Sequence, residues 1–297
     1  MPSLKATYGP PHCLICNSPA YSTIHQFNNW DILQCKNCTL VYVDPVPSIR
    51  HLIKTAEDTH SGMGDVQVKN YHRIRNLEDV HDPVIRSCTE TLAMIEQSTT
   101  GRTLLDIGCG EGTFSAVAKR RGWQVQALDA SSTATRTAQF TYNLNVITSV
   151  FPCNDLLNGQ QFDAIVMQDF LEHVPNPVEA ITVARALLRK GGVLYINSPN
   201  HRSLLCWVID TLGKIKLPII QSLLSSYYQP AHVTVFNPRS LAYLMTTCNL
   251  RPLLTGKNLP ILDRIELPQI LKIFVYVLNK ISQLLHLESR VWALARL

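Results

Sequence analysis

Four cysteines near the start of the sequence are spaced as metal ligands. They form two Cys-x-x-Cys pairs, Cys13 with Cys16 and Cys35 with Cys38, separated by 18 residues. This spacing is typical of tetrahedral four-cysteine zinc sites. Because four thiolates leave no open coordination position, we expect a structural Zn²⁺ ion rather than a catalytic one. A segment this short buries too little surface to fold alone, so metal binding would supply the missing stability.

A glycine-rich loop follows a predicted strand, in the run Leu104-Leu-Asp-Ile-Gly-Cys-Gly-Glu-Gly112. Gly108, Gly110 and Gly112 let the backbone turn sharply and let a ligand approach without meeting Cβ atoms. The spacing is Gly-x-Gly-x-Gly rather than Gly-x-Gly-x-x-Gly, which weakens a dinucleotide interpretation. Cys109 is expected to fill the loop as a small residue, because no base stands beside it in the sequence to activate it.

Two carboxylates flank this loop and suit S-adenosylmethionine (SAM). SAM carries an ammonium group that needs a carboxylate, and Asp106 lies just before the loop. The next predicted strand ends in Asp129, where an acidic side chain can accept both ribose hydroxyls of an adenosine. The alternative for Asp129 is a helix N-cap. The expected cofactor site therefore comprises Asp106, Gly108, Cys109, Gly110, Gly112, Asp129 and Ala130.

The elements that position these groups follow from hydrophobic periodicity. Strands of buried type alternate with helices after residue 101, which predicts a mostly parallel sheet covered on both faces. Ahead of it, apolar residues at helical spacing predict a helix from Asp82 to Glu96. The predicted divisions are a zinc ribbon (1–47), a helical linker (48–100), a SAM-binding domain (101–257) with an apolar insertion (201–236), and a C-terminal amphipathic helical segment (258–297).

Composition and charge narrow the classes of function. The 297 residues are 46% apolar and 16% charged, as in a globular protein with a core. The net charge of +5 suits an acidic substrate or a membrane surface but falls short of a dedicated nucleic-acid binder. The N-terminal residues lack the apolar run of a signal peptide, and no uncharged apolar stretch is long enough to span a bilayer. We therefore expect a cytoplasmic protein whose remaining cysteines are free thiols.

In combination, these motifs resemble those of the class I SAM-dependent methyltransferases over residues 80–255. The resemblance implies an α/β fold with a seven-stranded, mostly parallel, doubly wound (Rossmann-like) sheet and a reversed C-terminal strand. It also implies a SAM contact from the region of Gln168. An adenine contact could come from stacking on Phe151 or a hydrogen bond from Asn154. The matching segments are Leu105-Asp-Ile-Gly-Cys-Gly-Glu-Gly112, Leu128-Asp129, Phe162-Asp-Ala-Ile-Val-Met-Gln-Asp-Phe-Leu-Glu-His-Val174, and Leu188-Arg-Lys-Gly-Gly-Val-Leu194 with Ser198-Pro-Asn200.

The ribbon resembles those that precede small-molecule methyltransferases of sugar and secondary-metabolite pathways. Ribbons also bind nucleic acid, so an RNA methyltransferase is a competing hypothesis. Against it, the fourth strand ends in Gln168-Asp-Phe-Leu rather than the Asn/Asp-Pro-Pro-Tyr/Phe of enzymes that methylate base amines, and the ribbon lacks clustered Lys and Arg. A third hypothesis is a non-catalytic interaction protein, against which the intact set of Asp106, glycines and Asp129 argues.

Two histidines are candidate catalytic bases. Methyl transfer is an in-line displacement in which positioning and desolvation do most of the work, but an oxygen nucleophile also needs a base. His173 follows the fourth strand at the carboxyl edge of the sheet, where ligands of this fold bind. His232 lies where the insertion returns to the core. The alternative for His173 is a packing or capping role in its turn.

The insertion and the tail suggest how an acceptor is reached. Residues 201–236 are too apolar for an idle surface loop, so we expect a lid over the acceptor. The expected acceptor is a hydroxyl of a saccharide, a lipid-linked compound or a natural-product intermediate. The amphipathic tail is expected to pack as a helix or dimer face, with peripheral membrane contact as the alternative.

Overall fold

Strands and helices alternate along the chain in the computed structural model, which describes residues 11–61, 74–153, 157, 159–215, 218–261 and 269–297. The strands are β1 (Tyr21–Gln26), β2 (Asp31–Cys35), β3 (Val41–Asp44), β4 (Thr103–Ile107), β5 (Gln124–Asp129), β6 (Val146–Thr148), β7 (Phe162–Gln168), β8 (Leu188–Pro199), β9 (Thr234–Val235), β10 (Arg251–Asn258) and β11 (Arg290–Arg296). The helices are α1 (Ile49–His60), α2 (Pro83–Ser98), α3 (Thr113–Arg120), α4 (Ser132–Tyr142), α5 (Pro177–Ala186), α6 (Leu204–Gly213), α7 (Pro218–Tyr227), α8 (Pro238–Thr247) and α9 (Gln269–Leu284). In these parts of the chain, no helix is long and apolar enough to cross a membrane.

Seven strands form the central sheet, in the order β10-β11-β8-β7-β4-β5-β6. The five strands from β8 to β6 are parallel, whereas β11 is antiparallel to both of its neighbours. The predicted seven-stranded, mostly parallel, doubly wound sheet with a reversed C-terminal strand is therefore confirmed. After β4 the chain adds β5 and β6 towards one edge of the sheet, and after β7 it adds β8 towards the other edge. This makes the carboxyl ends of β4 and β7 the switch point at which such sheets bind ligands.

The predicted helix that ends the linker is also confirmed. It extends from Pro83 to Ser98, and the Asp82 carboxylate caps it by accepting the backbone N–H groups of Val84 and Ile85. Its buried residues are those of the predicted apolar face, namely Val84, Ile85, Cys88, Leu92 and Ile95, together with Thr91. The helix covers one face of the sheet and shares a core with Leu104 and Val166.

The C-terminal segment contributes a strand as well as a helix. Periodicity predicts only an amphipathic helix for residues 258–297. The reversed strand that the resemblance implies, without assigning it to residues, is β11, which follows α9 and inserts between β8 and β10. Its side chains Val291, Ala293 and Leu294 are buried. Alanine has a low strand propensity, so the local sequence does not indicate a strand here; pairing on both sides determines it.

The ribbon strands β1, β2 and β3 form a second sheet, which β9 completes at the return of the insertion. Ile32, Val41 and Val43 of the ribbon pack against the insertion, in a cluster with Leu224, Tyr228, Val233 and Val235. The buried cysteines of the ribbon belong to the main core, together with Leu171 and Phe236. The ribbon is therefore joined to the rest of the protein by a shared apolar core.

Candidate functional site

The glycine loop lies at the carboxyl end of β4, next to the switch point of the sheet. Gly108, Gly110 and Gly112 have φ angles of 76°, 54° and 82°, which favour glycine. A Cβ atom on Gly108 would lie 2.5 Å from Phe170, and one on Gly112 would lie 2.6 Å from Leu144. Around Gly110 the nearest atom would be 3.5 Å away. Packing thus requires glycine at two positions, and the middle one keeps the loop open.

Asp106, the penultimate residue of β4, is a buried carboxylate below this loop. Its side chain accepts a hydrogen bond of 2.7 Å from the Ser115 hydroxyl of α3. Burial raises the pKa of Asp106 to about 7, and the nearby Asp129 charge adds to the effect. A bound cation would lower this pKa and favour the ionised carboxylate.

Asp129 ends β5 and holds the glycine loop directly. One carboxylate oxygen accepts the Gly110 N–H at 2.8 Å, and the other accepts the Ser131 N–H at 2.8 Å. The N-cap of α4 is Ser131, whose hydroxyl accepts the Ala134 N–H, so the N-cap alternative for Asp129 is wrong. Asp129 is 9% exposed, and the half-buried Ala130 follows it at the same edge.

Cys109 fills the space behind the loop. It packs against Ala116, Ala138 and Leu144. Burial is the main cause that raises the pKa of its thiol well above the ordinary value, and the charges of Asp106 and Asp129 add to this. A thiol that stays protonated is a poor nucleophile. The structure therefore fits the expected role of Cys109 as a small filling residue.

Helix α1 covers the glycine loop, and no sequence motif marks the residues involved. Glu57 accepts the Ser132 N–H at 2.8 Å and the Thr133 hydroxyl at 2.5 Å, at the start of α4. The hydrogen bond from Thr133 is the main cause that lowers the pKa of Glu57 to about 2. At the end of the same helix, His60 Nδ1 lies 3.2 Å from Glu111 Oε1. These contacts join segments more than 50 residues apart, so no local pattern could indicate them.

The turn after β7 carries the next predicted contact. Gln168 ends this strand, and its side-chain nitrogen is buried without a hydrogen-bond partner among the described residues. Such an orphaned donor is rare and indicates a missing partner. Asp169, with φ of 52°, is bonded by Arg290 of β11, which also donates to Asn197 at 3.0 Å. Strand β11, whose residues the sequence pattern did not locate, thus fixes one wall of the crevice.

His173 and His232, 59 positions apart in the sequence, lie side by side, with ring centroids 5.0 Å apart. His173 Nδ1 lies 2.8 Å from the carbonyl oxygen of Ala231. Because a carbonyl can only accept, Nδ1 carries a proton, and in the neutral form of the ring Nε2 is the nitrogen that can accept one. Burial, and then the neighbouring His173, lowers the pKa of His232 to about 3. His232 is therefore a neutral and weakly basic side chain near pH 7.

The same turn contains a buried carboxylate that the sequence analysis did not single out. Glu172 is 1% exposed and accepts a hydrogen bond of 3.1 Å from the Ser198 hydroxyl. Burial raises its pKa above the ordinary value.

Of the two candidates for the adenine contact, Phe151 is buried and meets Phe170 edge-on, with 6.3 Å between the ring centroids. Asn154, the other candidate for the adenine contact, lies outside the described residues.

The four cysteines of the ribbon converge on one point. Their sulfur atoms all lie within 4.8 Å of one another, with Cys13 and Cys38 3.4 Å apart and Cys16 and Cys35 3.5 Å apart. Tetrahedral Zn–S bonds of about 2.3 Å would place the sulfurs about 3.8 Å apart. Each pair ends in a matching turn, because the N–H of Asn17 bonds to the carbonyl of Cys13 and that of Thr39 to the carbonyl of Cys35. The cluster is thus compatible with a structural zinc ion.

A polar cluster holds the insertion against the ribbon. Asp210 of α6 accepts hydrogen bonds of 2.8 Å from His25 Nε2 of β1 and from the Tyr228 hydroxyl. His201 Nε2 lies 3.4 Å from the other oxygen of Asp210. Burial opposes ionisation, but these partners outweigh it and hold the pKa of Asp210 well below its usual range.

The sequence around this site is similar to those of known methyltransferases. A family model described as a methyltransferase domain matches residues 77–254. The ubiquinone biosynthesis O-methyltransferase of Histophilus somni (strain 2336) is 30% identical over 134 residues, which are 41% of this chain and 56% of that protein. The protein of the same name from Xanthomonas campestris pv. campestris (strain B100) is 34% identical over 106 residues, 34% and 44% of the two chains. The chain spans about half the length of these curated relatives.

Solved structures share the fold. Magnesium protoporphyrin IX methyltransferase (ChlM) from Synechocystis PCC 6803 with bound SAH superposes with a TM-score of 0.54 and 12% identity, covering 83% of this chain and 99% of that one. Phosphoethanolamine N-methyltransferase 2 of Haemonchus contortus in complex with S-adenosyl-L-methionine gives 0.53 and 15%, covering 86% and 61%. The family match covers more than half of the 297 residues. The chain therefore belongs to the methyltransferase domain family.

Proposed function

We propose that the protein transfers a methyl group from SAM to a hydroxyl of a small-molecule acceptor. The observation that carries the proposal is the arrangement at the switch point: three glycines with positive φ, held by Asp129 and flanked by the buried carboxylate of Asp106. Oxygen as the acceptor atom is supported by the curated relatives, which are named ubiquinone biosynthesis O-methyltransferases.

The residues at this edge fit SAM. Asp106 offers a carboxylate to the ammonium group, and its pKa of about 7 means that a nearby cation would favour the ionised form. Asp129 accepts hydrogen bonds from the Gly110 and Ser131 N–H groups, and its carboxylate oxygens retain further lone pairs for the ribose hydroxyls. The unpartnered nitrogen of Gln168 provides a donor. When bound, SAM supplies a methyl group on a positively charged sulfur, and the neutral thioether of S-adenosylhomocysteine is the leaving group.

His173 is the better supported of the two candidate bases. Its Nδ1–H contact with Ala231 orients the ring and leaves Nε2 to take the proton of the acceptor hydroxyl. The pKa of about 3 makes His232 a weak base, so we assign it to the wall of the pocket.

The insertion supports the role of a lid. Helices α6 and α7 follow the carboxyl end of β8 and return through Ala231 and His232 to the two-histidine site. Such a segment can exclude water from the reacting groups. Its apolar character suits a saccharide carrying an apolar group, a lipid-linked compound or an apolar natural-product intermediate.

We also propose that Cys13, Cys16, Cys35 and Cys38 hold one structural Zn²⁺ ion per chain. The sulfur distances and the paired turns support this donor set. The ion would connect the two ends of the ribbon and, through the shared core, support the insertion. Elemental analysis of protein purified without a chelator should find about one zinc per chain, and its absence would contradict the proposal.

The function is tested with methyl-labelled SAM and a panel of acceptors. The panel contains hydroxylated aromatic compounds, saccharides, lipid-linked alcohols and total RNA. We expect label transfer to a hydroxyl compound together with release of S-adenosylhomocysteine, and a large loss of transfer in His173→Ala with unchanged SAM binding. Label found in RNA alone would contradict the proposed acceptor class. Equal transfer by wild type and His173→Ala under chemistry-limited conditions would contradict the assignment of His173 as the base.

A further inference from the structure

Eight of the 18 large apolar side chains that are exposed among the described residues lie on two neighbouring helices, α6 and α9. Trp207 on α6 is 64% exposed, and on α9 Ile273 is 61%, Phe274 56%, Val277 49%, Ile281 42% and Leu284 81% exposed. The two helices are in contact. We name these six residues the apolar surface. Contiguous apolar patches of this kind mark sites of interaction with proteins or membranes.

Helix α9 turns an apolar side to solvent and buries polar residues. Ile273, Val277, Ile281 and Leu284 follow one another at spacings of four, four and three, so they lie along one side of the helix. The buried side includes Leu278 and Asn279, each 9% exposed, and Ser282, 3% exposed. A surface helix of a soluble domain normally directs its apolar stripe to the core. An apolar stripe left in solvent while polar side chains of the same helix are buried indicates that something apolar covers the exposed side of α9.

The charges around the apolar surface are positive. Lys272 and Lys280 are exposed on α9, and Lys214 is exposed directly after α6. Lys280 lies over the ring of Tyr276, 5.5 Å from its centroid. Within α6 and α9 the sole acidic residue is Asp210, which already accepts hydrogen bonds from His25 and Tyr228. The surface is thus apolar in the middle and basic at its edge.

We propose that the apolar surface docks on a membrane that contains anionic lipids. An apolar face flanked by lysines and aromatic rings is the pattern of helices that lie in the plane of a bilayer, and anionic headgroups attract the lysines. A second copy fits less well, because a two-fold contact would bring Lys272 and Lys280 of each chain near those of the other without acidic partners.

Docking here has a consequence for the acceptor. Because α6 begins the insertion that we assign as the lid, docking would present the entrance of the acceptor site to the bilayer. That link rests on the proposed function, whereas docking itself does not. Binding to vesicles can be measured without any acceptor or methyl transfer, so the two proposals fail separately.

Vesicle flotation tests the docking with the full chain. Vesicles of phosphatidylcholine with about one third phosphatidylglycerol should bind the protein, and pure phosphatidylcholine vesicles should bind it more weakly. Phe274→Glu should reduce binding to the anionic vesicles at least about tenfold, since a buried Phe side chain contributes about 1.5–3 kcal/mol. Lys272→Glu combined with Lys280→Glu should reduce the preference for anionic lipid. The matched control is Phe140→Glu on α4, where Phe140 is 86% exposed but lies outside the apolar surface.

Three results would overturn the proposal. The first is wild-type protein that floats no better with the anionic vesicles than without vesicles. The second is a Phe274→Glu variant that binds as well as Phe140→Glu, with both folded by circular dichroism. The third is light scattering that shows a dimer in wild type and a monomer in Phe274→Glu, which would assign the apolar surface to a second copy. A monomeric wild type with selective loss of binding in Phe274→Glu supports the proposal.

Discussion

Replacing Cys35 with serine should destabilise the insertion as well as the ribbon. Cys35 is fully buried at the end of β2, and the proposed zinc site needs its thiolate. Without the metal, the short strands β1 to β3 lose the link that connects their ends. The insertion packs on these strands through Leu224 and Tyr228, and β3 pairs directly with β9. Loss of the ribbon therefore removes one side of the core of the lid.

The size of the effect follows from the side chains that would be exposed. Ile32, Val41 and Val43 of the ribbon are between 1% and 3% exposed. Full burial of such a side chain contributes about 1.5–3 kcal/mol, so three of them contribute about 5–9 kcal/mol, as an upper estimate because the unfolded chain is itself partly compact. That is comparable with the whole stability of a typical domain, about 5–15 kcal/mol. The variant should therefore lose a large part of its free energy of unfolding.

Hydrogen exchange and thermal unfolding measure this effect. In Cys35→Ser, amides of residues 204–213 and 233–235 should exchange faster, and the midpoint of unfolding should fall. The control is Cys248→Ser, in which a buried thiol, 6% exposed and distant from the cluster in sequence, becomes a hydroxyl that can keep its partners Thr182 and Val178. Unchanged exchange in the insertion, with a disordered ribbon, would refute the argument that the two share a core.

Three further predictions concern single side chains. His173→Ala should lower kcat about 10²-fold or more, while His232→Ala should lower it less, as measured under chemistry-limited conditions; the reverse order would assign the base to His232. The folded pKa of His232, about 3, lies below the unfolded value near 6.5, so the unfolded chain binds the proton first as pH falls. The free energy of unfolding should therefore fall between these two pH values, by up to about 1.4 kcal/mol per pH unit. Denaturation of His232→Gln should show a flatter pH profile, and a profile identical to that of wild type would contradict the prediction. Asp210→Asn should lower the free energy of unfolding by about 2 kcal/mol by weakening the bonds from His25 and Tyr228, and a variant as stable as wild type would show that this cluster does not hold the insertion.

Local patterns were sufficient to predict the sheet and the loop. The alternation of strands and helices after residue 101 predicts a parallel sheet, and the glycines at 108, 110 and 112 all occupy positive-φ positions. Both predictions rest on signals within short segments, namely hydrophobic patterning for the sheet and the tolerance of glycine for positive φ for the loop. The convergence of the four cysteines was predictable for a similar reason, since two Cys-x-x-Cys turns joined by a hairpin bring their sulfurs together.

Features that depend on distant segments could not be predicted. β9 has two residues and pairs with β3 about 190 positions earlier, and β11 is defined by its two partner strands. Glu57 meets the start of α4 only in the folded chain. Similarly, the sequence places His173 and His232 near the same edge, but not in contact, and it contains no sign that burial lowers the pKa of His232 so far.

SAM binding at the crevice formed by Asp106, the glycine loop and Asp129 underlies the whole proposed function. Isothermal titration calorimetry of SAM against wild type, Asp129→Asn and the exposed control Glu90→Gln tests it most directly. We predict one SAM per chain, no competition by NADH, and a SAM affinity of Glu90→Gln equal to that of wild type. Asp129→Asn should lose about 1–3 kcal/mol of binding free energy, or about 5- to 150-fold in affinity, because hydrogen bonds to a charged acceptor are weakened. Unchanged SAM affinity in a folded Asp129→Asn variant, or NADH bound at the loop instead of SAM, would contradict SAM binding at this crevice.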